Sequence, residues 1–200
     1  MSVPPTLATE RMRMIDTEHG IPDASQDVSP DTLVATRVSR FAELEPDWNA
    51  FADSQEEGRR RAQFRLIGAG GSGKYDGKAI PAGGFTMSIM RVPPGQGGSA
   101  HCHEVEEAFF VLDGILTVFF QDAHGHRAAT RLQRWEVVSC PAGVMHGFVN
   151  EGDQDVYMQT IIGTGKPGPV RFADDDIYQR ELGLLAERAS NPTKPEKPAP

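Results

Sequence analysis

GQGGSAHCHEVEEAFFVLDG, residues 95–114, places two of the chain's six histidines one residue apart, follows them with Glu104, Glu106 and Glu107, and brackets the run with glycines. A surface loop tolerates such a cluster, whereas a strand sorts it by face. If His101–Val111 is extended, alternation puts His101, His103, Glu107, Phe109 and Val111 on one face and Cys102, Glu104 and Glu106 on the other. Two imidazoles and one carboxylate converging on a point form a partial shell for a divalent transition metal: neutral nitrogens suit borderline ions and the carboxylate offsets charge. Phe109 and Val111 would keep the surroundings of that ion dry.

Outward from this stretch, the chain reads as short β-type runs. They are LVATRVS near Leu33, QFRLIG near Phe64, FTMSIMRV from Phe85, EAFFVLDG, ILTVFF from Ile115, EVVSC from Glu136, HGFVN from His146 and DVYMQTII from Asp155. Gly, Pro, Asp and Asn punctuate them, which predicts an antiparallel sandwich or barrel; a parallel sheet would need helical crossovers. Asp113-Gly114 has the composition of a tight hairpin turn. In DDDIYQRELGLLAERAS, Tyr178, Leu182, Leu185 and Ala189 recur at helical spacing, with aspartates at one end and Arg188 near the other, so residues 174–189 are expected to form a helix. Residues 1–30 lack apolar periodicity and residues 190–200 repeat proline among Lys and Glu; both are expected to be flexible tails around a barrel spanning 31–173.

Two hundred residues of ordinary apolar content suit one core. The net charge of −8 argues against nucleic-acid or anionic-membrane partners, which need a basic patch. The one dense basic run, Arg59–Arg61, follows two glutamates and reads as a solvated face. No stretch approaches the roughly 20 apolar residues of a membrane span, and the start of the sequence lacks an apolar leader, so a cytoplasmic location is expected. Cys102 and Cys140 fit a reducing compartment, although a single bridge between them remains open.

A second stretch, PAGVMHGFVN (Pro141–Asn150), uses proline and glycine to shape a tight approach before His146, a candidate fourth ligand. Together the two stretches resemble the paired motifs of the cupin superfamily. The first asks for glycine, five residues, His-x-His, three or four residues, Glu, six residues and glycine, matched by Gly95, His101, His103, Glu107 and Gly114. The second is matched by Pro141, Gly143, His146 and Asn150; only its opening glycine is replaced, by Trp135. The resemblance covers Gly95–Asn150 directly. It implies an all-β fold, a double-stranded β-helix (jelly-roll) cupin barrel with a short C-terminal helix appended. It also implies one divalent metal held by His101, His103, Glu107 and His146, with Fe(II) favoured and Mn, Ni or Zn as alternatives, and a homodimer.

The bland alternative, four structural polar residues in a metal-free barrel, suffers from the cost of burying such groups without chemical use. Cys102 reads as packing, and His124 and His126 as exposed loop residues. GAGGSGKY from Gly68 has P-loop offsets, but Tyr75 replaces the required Ser or Thr and DGKAIPAGG cannot open a helix; it reads as a flexible loop near the barrel mouth. Candidate pocket residues are Phe85, Met87, Arg91, Phe109, Phe148 and Gln159, of which Arg91 and Gln159 would orient an anionic or carbonyl-bearing ligand.

Three His and one Glu leave coordination positions open, the mark of catalytic sites. The favoured expectation is an Fe(II) dioxygenase acting on a small aromatic, phenolic or β-dicarbonyl compound, since Phe and Met residues cluster near both motifs. The second is a Mn-, Ni- or Zn-dependent isomerase or lyase of a sugar- or keto-acid-like substrate, with Glu106 or Tyr157 as its acid or base. The third is a non-catalytic cupin that binds a small molecule or metal.

Overall fold

The computed structural model describes residues 28–74 and 76–190. The expected tails, 1–30 and 190–200, lie almost wholly outside the described residues. The chain divides into two compact units after Val38. In the first, Pro30–Thr36 is a short helix, α1, and not the strand expected near Leu33. Ser29 caps it by accepting a hydrogen bond from the Thr32 amide, and Pro30 sits in its first turn, where a missing N–H costs nothing. Start signals outweighed the β-branched residues that follow.

The second unit is mostly β. Its strands are β1 (Ala62–Ile67), β2 (Thr86–Val92), β3 (Gly97–Cys102), β4 (Glu107–Asp113), β5 (Leu116–Gln121), β6 (Arg127–Leu132), β7 (Val137–Cys140), β8 (Met145–Val149), β9 (Val156–Ile162) and β10 (Arg171–Phe172). They form two five-stranded sheets, β1-β2-β9-β4-β7 and β10-β3-β8-β5-β6, with every strand pairing antiparallel. This interleaved order is the double-stranded β-helix. Buried Val92, Phe109, Val111, Leu116, Val118, Phe148 and Met158 from both sheets form the core between them.

The Asp113-Gly114 turn does not close a hairpin. It carries the chain from β4 in one sheet to β5 in the other, and the two strands never pair. Gly114 has φ of +85°, and a Cβ there would approach Val156 Cγ2 to 2.9 Å, so the crossing needs glycine on both counts. At Trp135, where the resemblance asks for glycine, the backbone still adopts φ of +72°. The Trp135 side chain is 61% exposed and lies against Arg134 and Phe110, while its amide donates to Val111 O. The turn is thus kept at a cost of about 1–3 kcal/mol for a non-glycine residue in that region.

A second helix, α2, runs over Asp175–Ser190, close to the expected span. Asp174 caps it by accepting from the Ile177 amide. Ile177, Tyr178 and Leu184 pack on Ala52, Val170 and Phe172, and the Arg188 guanidinium donates to the carbonyls of Ser72 and Ala50. The glycine-rich segment is not a free loop. Gly70–Ser72 form a buried 3-10 turn pinned by Ser72 Oγ, which donates to Gln63 Oε1 at 2.8 Å and accepts from Arg65 Nη2 at 2.8 Å. Among the described residues no helix is long and apolar enough to cross a membrane.

Candidate metal centre

His101 lies on β3, His103 just beyond its end, Glu107 opens β4 and His146 lies on β8. The chain breaks from strand between His103 and Glu107, so the two halves of the first motif belong to opposite sheets. All four side chains are nonetheless brought together. Pairing of β3 with β8 sets His101 opposite His146, with ring centroids 4.6 Å apart. Glu107 reaches them from the facing sheet, where it pairs with Cys140 and Ile162. Its Oε2 lies 2.8 Å from His146 Nε2, 3.4 Å from His103 Nε2 and 3.5 Å from His101 Nε2. All four residues are buried, Glu107 to 3% exposure.

Two of the imidazoles are oriented from behind. His101 Nδ1 donates to Ser99 O and His146 Nδ1 donates to Val144 O, each at 2.8 Å. In a neutral His101 ring this leaves the Nε2 lone pair aimed at the shared centre, the arrangement a metal-ligating histidine uses, whereas His146 Nε2 donates to Glu107 Oε2 at 2.8 Å. Burial pushes the His103 pKa down to about 4, which keeps that ring a neutral donor. Burial opposes charge on His146 too, but its contacts with Cys140 and Glu107 outweigh this and raise its pKa to about 10. Burial also disfavours the Glu107 carboxylate, yet the three surrounding histidines overcome that penalty and hold its pKa below the usual carboxylate range. Ligand atoms of His101, Glu107 and His146 all lie within 4.8 Å of one another, a donor chemistry and spacing that fit a divalent transition metal; His103 falls outside that group, although its Nε2 is 3.4 Å from Glu107 Oε2.

The centre opens on a narrow cavity. Phe109 and Phe148, both expected as pocket residues, line it along with Met90 and Met158. Phe85, Met87, Arg91 and Gln159 do not. On β2 and β9 the buried parity is Thr86, Ser88, Met90, Val92 and Val156, Met158, Thr160, Ile162, which turns the expected residues to the outer side. Arg91 binds Asp155 there at 2.7 Å, and Gln159 meets Met87. Phe85 is exposed. Glu106 and Tyr157 also point away from the cavity: Glu106 is exposed and accepts from Ser139, and Tyr157 sits beside Phe41.

Sequence reasoning missed Arg61, Gln63 and Thr160. Arg61 and Gln63 alternate with Ala62 and Phe64, whose side chains face Leu44 and Trp48 on the outside of β1. The inward set is therefore polar, and Arg61, read from sequence as part of a solvated face, is only 2% exposed. Its Nη2 donates to Asp53 Oδ1 at 2.9 Å and its Nη1 to the carbonyls of Arg59 and Gly97. The signal was the Arg-x-Gln-x-Arg alternation at 61, 63 and 65, concealed by the charged run before it.

A double-stranded β-helix holding a buried His-rich cluster defines a class of barrel with a candidate metal centre. Residues 88–162 match the family model of the Cupin domain. Solved structures with the same fold include the polyketide cyclase RemF from Streptomyces resistomycificus, 22% identical, covering 76% of this chain and 96% of that one with a TM-score of 0.53. An oxalate oxidase is 18% identical over 77% of this chain and 69% of its own, with a TM-score of 0.52. The Lactobacillus farciminis oxalate decarboxylase, solved as a formate complex, is 16% identical and covers 78% of this chain, which spans 40% of that protein, with a TM-score of 0.51. At these identities the likeness concerns the fold. No curated protein matches the sequence.

Proposed function

We propose that the chain is a metal-dependent cupin enzyme in which His101, His103, Glu107 and His146 hold one divalent transition metal, Fe(II) first among the candidates, and that it is a dioxygenase of a small β-dicarbonyl compound. The observation that carries this reading is the convergence of three imidazoles on Glu107 Oε2 at the wall of an apolar cavity. A bound Fe(II) supplies Lewis acidity and one-electron chemistry toward dioxygen. The chain supplies the rest. Ser99 O and Val144 O fix two rings, Glu107 offsets charge, and Phe109, Phe148 and Met158 exclude bulk water from the reacting atoms.

The free space beside the ligands is about 20 Å3, room for one or two water molecules. A short β-dicarbonyl needs the least widening of that space among the expected substrates, which favours it over the aromatic and phenolic ones. The isomerase or lyase alternative needs a second acid or base at the substrate. Among the described residues lining the cavity, the acid-base groups are the carboxylate and imidazoles of the ligand cluster itself and Arg61, which is already paired with Asp53.

The test is oxygen uptake after anaerobic Fe(II) loading, with short β-dicarbonyl compounds set against phenols. Iron-dependent uptake with a dicarbonyl is expected. No uptake with iron, together with turnover of a keto acid or sugar in the Mn-, Ni- or Zn-loaded protein, would overturn the dioxygenase reading.

A further inference from the structure

The cavity beside the histidines is walled by two kinds of segment. Most of its lining, including Met90, Phe109, Phe148 and Met158, stands on strands held in antiparallel ladders. The rest, Phe51, Gly71, Val170 and Phe172, comes from short connections and the two-residue β10. The free space of about 20 Å3 holds one or two water molecules, so any organic ligand must move part of this wall. Parting a ladder breaks backbone hydrogen bonds, whereas a connection can swing with the element packed on it.

All of these connections are fastened by α2. Ile177, Tyr178 and Leu184 pack on Ala52, Val170 and Phe172. The Arg188 guanidinium donates to Ala50 O and Ser72 O, so one side chain ties together the two segments that carry Phe51 and Gly71. Gly71 in turn lies against the candidate ligands: a Cβ there would stand 3.7 Å from His103 Cε1 and 3.6 Å from Phe51 Cε1. The grip of the helix is nevertheless light. Of its 16 residues Ile177 and Glu181 alone are buried, and both carboxylate oxygens of Glu181 lack a hydrogen-bond partner. Docking strips that carboxylate of water without a hydrogen bond in exchange, a cost that undocking relieves.

We propose that α2 is a strap that closes this cavity and undocks as a unit, with Arg188 as its pin and Glu181 as the group that keeps its docking weak. Release of the helix frees segments 50–54 and 70–72, and a ligand larger than water then reaches the histidines. The two sheets stay closed throughout. While docked, the helix holds the wall shut and keeps bulk water off the cluster.

Native-state hydrogen exchange of the full chain reads the undocking without any metal. The amides of α2 are expected to exchange at least tenfold faster than those of β4 and β9, and the Ser54 and Gly73 amides, which donate to Phe51 O and Gly70 O, to follow α2. Arg188→Met, which keeps the aliphatic stem and the helix propensity, is expected to speed this group at least fivefold. Glu181→Gln, at mildly alkaline pH, is expected to slow it at least threefold. Uptake of Zn2+ by the metal-free full chain and both variants is expected to change rate in the same directions, with unchanged final stoichiometry. Exchange of α2 only together with β4 and β9, Ser54 and Gly73 amides indifferent to both substitutions, or one rate of zinc uptake in all three chains would overturn the inference. The zinc readout alone rests on the metal reading above. A wild type that holds no zinc, manganese or iron contradicts that reading, and the strap is then decided by whether the Ser54 and Gly73 amides move with α2 in the two variants.

Discussion

At the residue scale, the difference between Glu106 and Glu107 shows how far one position of parity reaches. The two are neighbours in sequence and chemically alike, yet Glu107 is buried among three imidazoles while Glu106 is exposed beside Ser139. Glu107→Gln removes the one anionic donor and is expected to lower metal affinity at least tenfold; Glu106→Gln is expected to change it less than twofold. Metal titration of both variants checks this, and equal losses would mean that the face was misassigned. The sequence made Glu107 legible, but on a premise only partly met. Alternation assumed an unbroken strand from His101 to Val111, whereas the chain leaves the strand after Cys102 and re-enters it at Glu107 in the other sheet. The ligands converge because the two sheets face each other, a relation that the His-x-His and Glu spacing encodes through the fold and not through one strand's pleat.

At the scale of elements, two packing features carry separate expectations. A Cβ at Gly97 would lie 2.2 Å from the backbone oxygen of Phe148, so Gly97→Ala forces β3 away from β8. These strands carry His101 and His146, and the substitution is expected to cost at least about 2 kcal/mol of stability and to weaken metal binding as well. Denaturant unfolding and metal titration of the same variant measure the two effects. On α2, Glu181 is 1% exposed. Burial raises its pKa even though Arg188 and the Ala52 and Val170 amides approach it, and none of these approaches has the geometry of a hydrogen bond. A carboxyl raised in the folded state contributes its stability at low pH and loses it as pH rises through the folded value. Glu181→Gln is therefore expected to stabilise the chain by roughly 1 kcal/mol at pH 8, a gain that shrinks toward zero near pH 4. Denaturant unfolding at the two pH values decides the sign.

Element prediction from sequence succeeded where one signal dominated. The helical spacing of Tyr178, Leu182 and Leu185 placed α2, and β-rich runs between Gly, Pro and Asn placed most strands. It failed where a local signal competed with a longer-range one. Ser29-Pro30 starts a helix that the β-branched residues after it disguised, and Asp113-Gly114 has hairpin chemistry but serves a crossing between sheets, which no local rule distinguishes.

For the whole molecule, the two sheets are what gather a candidate metal centre from residues 45 positions apart, His101 and His146, with Arg61 and Thr160 lining the same cavity. The candidate ligand cluster was legible because its residue types and spacings are unusual in any other context. The cavity's lining was not, because which parity of β2 and β9 faces inward depends on the register with β1 and β4. Phe85, Met87, Arg91 and Gln159 consequently fell on the outer side, while Met90, Met158 and Thr160 took the inner one.

The central claim is that four buried side chains hold one divalent metal. Its most direct test is elemental analysis of the full chain and of His146→Ala after loading with Fe(II), Mn, Ni or Zn and removal of free ion, with circular dichroism to establish that both retain the β fold. The account predicts close to one metal per wild-type chain and less than a tenth of that in the variant. Wild type without stoichiometric metal under every loading condition, or a folded His146→Ala that keeps full occupancy, would contradict it.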